Sequence, residues 1–147
     1  MRVLPPVALA IVLVSGCSGP PPAASDVIGT WIADDGGTFK FSEDGTFAAT
    51  NLDEQEFFRT NAKQEDSRVS GIGTWALGES VVGHWYSVKL DFDAVGDEKG
   101  GYSGLELCFS GDGAAESQRP WKAMFLIKDV DTLERYTFER SETGERD

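Results

Sequence analysis

His84 is the only histidine in the 147-residue chain, so a Ser-His-Asp arrangement or a histidine general base has one residue to rest on. It stands between Gly83 and Trp85 at the edge of an alternating segment, a position that reads as surface. Nitrogen and sulfur ligation of a metal runs short of ligands, because only Cys17 and Cys108 join that histidine. Asp91-Phe92-Asp93-Ala94-Val95-Gly96-Asp97 begins like a calcium loop, with acids first and third and glycine sixth. Val95 then occupies the fifth position, and Tyr102 the twelfth, where a bidentate glutamate is required. Glu43-Asp44 and Glu65-Asp66 fall among turn residues, where acids are simply well solvated. These patterns predict a protein that is not an enzyme and uses no metal or cofactor.

The remaining chemistry belongs to the thiol of Cys17. Residues 1–16 read MRVLPPVALAIVLVSG, with a base at Arg2, an apolar run from Val7 to Val14 and then small residues, which is the pattern of a signal peptide. The run is far shorter than the ~20 residues that a membrane-spanning helix needs. Val14-Ser15-Gly16-Cys17 resembles the lipobox of bacterial lipoproteins, in which small residues lead into a cysteine that is lipidated on sulfur. This resemblance covers the leader alone. It implies that residues 1–16 are removed and that Cys17 carries a diacylglyceryl group. The protein would then be lipid-anchored at the extracytoplasmic face of the cell membrane, since two acyl chains hold stably where one is marginal. Residues 17–25 read as a tether. Its prolines favour an extended conformation at about 3.1 Å per residue.

Twenty-five acids against 13 bases give a net charge of −12. Nucleic acid is excluded as a partner, because binding it depends on neutralising phosphates with Lys and Arg. The acidity keeps the domain soluble and clear of an anionic bilayer. With Cys17 committed to lipid, Cys108 has no disulfide partner within the chain and reads as a small packing residue.

Residues 26–147 fit one domain. Short alternating runs, punctuated by turn residues at even intervals, predict strands at 28–33, 38–41, 46–50, 73–77, 85–92, 105–110, 121–128 and 133–140. Residues 38–50 form a tight hairpin about Gly45. Tyr86, Val88, Leu90 and Phe92 share an inward face, and Cys108 lies opposite the core, out of phase with Leu105, Leu107 and Phe109. Between strands, residues 51–70 form a long polar connection, in which Asp53 and Glu56 are spaced to cap a turn or two of helix. The prediction is an all-β fold, an eight-stranded antiparallel meander barrel, with a β-sandwich as the alternative.

Gly29-Thr30-Trp31, at the start of the first strand, resembles the Gly-x-Trp signature of lipocalins. The resemblance implies a lipocalin-like barrel whose Trp31 plugs one end beneath an arginine of the last strand, and Arg140 has the inward phase of Tyr136 and Phe138. IGTW recurs at residues 72–75 with no alignable continuation. Both copies therefore read as packing: glycine turns the backbone into the strand and tryptophan fills the interior. Two functions remain. In the first, the barrel binds a small apolar or amphipathic ligand among Trp31, Trp75 and Tyr86, with Phe57 and Phe58 as a cover. The alternative is a protein–protein interaction module of the envelope with a solid core, because an eight-stranded barrel is only just wide enough for its own side chains.

Overall fold

The computed structural model describes residues 20–58, 67–81, 85–98, 100–111 and 119–142. A single helical turn, α1 (Ala24–Val27), leads into β1 (Gly29–Ala33), β2 (Thr38–Phe41) and β3 (Thr46–Asp53). A second short helix, α2 (Glu54–Phe58), follows, and then β4 (Arg68–Glu79), β5 (Tyr86–Val95), β6 (Tyr102–Gly111), β7 (Trp121–Asp129) and β8 (Glu134–Arg140). Each strand pairs antiparallel with the next, and β8 returns to β1 with Trp31 opposite Arg140 and Ala33 opposite Phe138. The expected eight-stranded meander barrel is thus closed. The closing ladder distinguishes it from a sandwich.

The strands from β3 to β7 are longer than periodicity alone suggests. β3 continues past Thr50 because Asn51 takes a left-handed conformation (φ 54°) within a bulge between Ala49 and Leu52, after which pairing with β4 resumes. β4 begins at Arg68, so the irregular connection shrinks to roughly its middle. Its helix is where the capping residues put it: Asp53 Oδ1 accepts from the Gln55 and Glu56 amides at 3.0 and 3.2 Å. Residues 59–66 lie outside the described residues, as do Cys17 with the leader, and His84.

Both barrel ends are plugged. At the end where the chain enters, Trp31 is fully buried and donates from Nε1 to Val27 O at 2.8 Å. The Arg140 guanidinium carbon stands 5.0 Å from the centre of that ring, and its Nη2 donates to Ser25 O and Asp26 O. α1 was not expected from sequence. One turn is too short to show periodicity, and it is held by contacts from afar: Asp26 pairs with Arg119 at 2.7 Å, and Val27 is buried. Of the expected tether, Pro22 is buried and Pro21 O accepts from Arg119, so 20–25 runs along the barrel. At the other end α2 drives Phe57 and Phe58 into the core.

Candidate functional site

The five ring residues expected around a ligand lie at opposite ends of the barrel. Phe57 packs against Phe39, Phe138 and Tyr136 with ring centres 5.3–5.9 Å apart, and Phe58 against Phe92 and Tyr102 at 5.2 and 5.1 Å. Trp75 meets Phe41 edge-on at 6.0 Å and donates to Ser42 O at 3.1 Å, while Tyr86 meets Trp121 at 6.1 Å. Trp31 sits under Arg140. Between these groups Phe39, Phe41, Phe47 and Phe138 fill the axis, ring against ring. The rings cover one another, and the structure does not gather the five about one cavity.

The ladder between β6 and β7 covers only part of either strand. Pairing between β6 and β7 runs from Gly111–Trp121 to Cys108–Phe125 and stops there, so the register pairs no residue of Tyr102–Leu107 with Leu126–Asp129. Two bulges account for this. On β6, Leu105 faces Leu90 but Tyr102 faces Phe92, and the surplus is absorbed at Gly104, whose φ of +92° glycine alone adopts readily. On β7, Ile127 faces Arg135 while Asp129 faces Glu134, which leaves Lys128 as the surplus residue. A bulged strand bends, and here both strands forming the seam carry a bulge on their far side.

A cleft of about 310 Å³ occupies the seam. Phe57, Leu105 and Leu126 line its depth, and Val81, Tyr102 and Val130 its exposed margin, with Val81 88% and Val130 57% accessible. Lys128 spans it, paired with Glu56 on α2 at 3.0 Å and Glu134 on β8 at 3.1 Å. Sequence reasoning missed the cleft except for Phe57. The one legible signal is Gly104 near the start of β6, a glycine inside an otherwise alternating run.

Beside the seam, the outer wall is not a wet face. Glu106 accepts from Ser80 Oγ at 2.5 Å, the Val81 amide at 3.2 Å, Ser87 Oγ at 3.1 Å and the Lys89 ammonium. Trp85 packs edge-on against Phe125 at 5.3 Å, with the Arg135 guanidinium 4.0 Å from the Phe125 ring centre. Cys108 and Ser87 have the expected outward phase yet are buried. Burial pushes the Cys108 thiol above its ordinary range, against the hydrogen bond to Ser80, so it is a protonated packing group. Among the described residues, no group of three His, Cys, Asp or Glu is placed to hold a metal ion.

Burial alone would raise Glu106, but the Lys89 ammonium and the Ser80 and Ser87 hydroxyls outweigh it and hold the carboxyl below its ordinary 4.5. Asp35 behaves alike: the hydrogen bonds from Tyr136, Arg68 and the Gly37 amide outweigh its burial. A carboxyl depressed on folding contributes stability that is complete above its unfolded pKa and is lost as pH falls through the folded value. Stability should therefore decline below about pH 4.5, and Glu106→Gln should flatten that decline. Urea midpoints measured from neutral pH downward test this, and an acid limb as steep in the variant as in the wild type would remove Glu106 from the account.

No family model, curated protein or solved structure matches the chain.

Proposed function

We propose that the protein is a lipid-anchored, non-enzymatic module of the bacterial cell envelope that binds another protein on the outside of a solid barrel. The packed axis carries this reading, because an apolar ligand in the lumen would have to displace Phe39, Phe41, Phe47 and Phe138, all buried against one another. Such rings do not yield to a small ligand without loss of the core they form. The route of the chain agrees. Residues 20–23 join the barrel at the Trp31 end, so a lipid on Cys17 tethers that end, while α2 and the mouth of the seam lie at the other.

Two measurements test this. Growth with an alkyne fatty acid should label the wild-type protein and leave Cys17→Ala unlabelled; equal labelling removes the anchor. A photo-crosslinking residue at Val81 or Val130, on the seam margin, should trap a protein adduct in producing cells. At Ala48, an exposed site on β3 across the barrel, it should trap none. Adducts in equal yield from all three positions, or from none, contradict a specific partner at the seam.

A further inference from the structure

We propose that the β6–β7 seam is a docking groove for an extended, positively charged peptide segment, which adds its main chain to the open edge of β6. The inference deepens the interaction reading and rests on it.

The first argument is the backbone. Each side of a strand receives the N–H and C=O groups of alternate residues, and those on the seam side of Tyr102–Leu107 have no β7 partner in the ladder. Closed barrels exist without such edges, whereas here bulges on both flanking strands hold one open. Another extended chain satisfies a row of this kind in series. That is the mode by which peptides add to sheet edges, the main chain supplying affinity and alternate side chains specificity. A cleft of about 310 Å³ is also at the lower limit of the ~300–1,000 Å³ typical of small-molecule sites.

The second argument is the floor. Phe57, Leu105 and Leu126 lie beneath, and Val81 and Val130 stand exposed at the margin. A strand laid along β6 would point every second side chain at this surface, which selects alternation of apolar and polar residues. The third is charge. Lys128 is shared by Glu56 and Glu134, Asp129 and Asp131 follow in the adjoining turn, and the chain as a whole carries −12. The polar positions of the occupant are therefore Lys or Arg.

The test uses the purified full-length protein and a fluorescein-labelled heptapeptide of alternating Lys and Val, followed by anisotropy in physiological salt. An analogue N-methylated at alternate amides has the same charge and side chains but lacks the donors. It should bind about 30- to 150-fold more weakly, the effect of losing two or three net hydrogen bonds. Val81→Arg and Val130→Arg replace exposed residues and leave the fold intact. Each should weaken the parent peptide several-fold. Equal binding of parent and N-methylated peptides reduces the interaction to charge and overturns strand addition. Binding that ignores both arginine variants places it elsewhere and does the same. If the cleft instead takes up anilinonaphthalene sulfonate, lost in Val130→Arg, and no peptide binds, it is a small-molecule site. Absence of peptide binding with the seam crosslink retained overturns strand addition alone; absence of both overturns the interaction reading as well.

Discussion

Replacing Phe39 with alanine should lower the unfolding free energy by about 3 to 5 kcal/mol. The ring is fully buried and stands 5.2–5.8 Å, centre to centre, from Phe138, Phe41, Phe47 and Phe57. Those four belong to β8, β2, β3 and α2, so neighbours fixed on separate elements cannot close the void together. Removing the side chain loses both its transfer free energy and the contacts of the cavity left behind. Against a typical total of about 5 to 15 kcal/mol, the loss should move the urea midpoint far enough to leave the barrel marginal at 37 °C. A loss below about 1 kcal/mol would mean that the lumen is loosely filled.

Gly73→Ala should be almost as damaging, for a different reason. A methyl group built there would lie 1.9 Å from the Asp91 carbonyl oxygen and 2.8 Å from its carbon. That carbonyl belongs to the long β4–β5 ladder, which runs from Gly71–Val95 to Glu79–Tyr86 and slips register beside Gly73. Backbone held by ladder bonds on both sides cannot retreat, so a cost of about 3 kcal/mol is expected. Gly29, its counterpart in the first IGTW, has no neighbour within 4 Å of such a methyl but holds φ at +130°. Gly29→Ala should therefore cost only about 1 to 2 kcal/mol, as backbone strain. Denaturation of the two variants side by side checks the order, and equal losses would contradict the two separate causes.

The repeated tetrapeptide shows what can and cannot be read from sequence here. That both tryptophans serve packing follows from their phase, and in the structure Trp31 is sealed while Trp75 is half-buried against Phe41. Why each needs a glycine before it does not follow, because one answer lies in local conformation and the other in a strand 18 positions away. The strand succession, the hairpin at Gly45 and the Asp53 cap were legible, since each depends on period two or on neighbours in the chain, whereas the Arg140–Trp31 contact was implied by the resemblance to lipocalins together with the phase of the last strand.

Features made by departures from that period were not. Bulges at Asn51, Gly104 and Lys128 lengthen strands and open the seam. Alternation assigns Ser87 and Cys108 to solvent, yet both are buried, Ser87 against Glu106 and Cys108 beneath Ser80 of the β4–β5 connection. Period and spacing mark Phe57 and Phe58 as the rings of the long connection but do not say what they touch; in the structure they pack against Phe39, Phe138 and Phe92.

The central claim is that the barrel is solid and that recognition occurs outside it. Titrating the purified protein with palmitate and with retinol while following tryptophan emission tests it most directly. Trp31 reports from within the core and Trp75 from its edge. Phe39→Ala supplies the positive control, because an apolar void of that kind stays dry and admits small apolar molecules. The account predicts a flat titration for the wild type and a response to benzene in Phe39→Ala. A saturable change in wild-type emission at near-stoichiometric palmitate or retinol would contradict it.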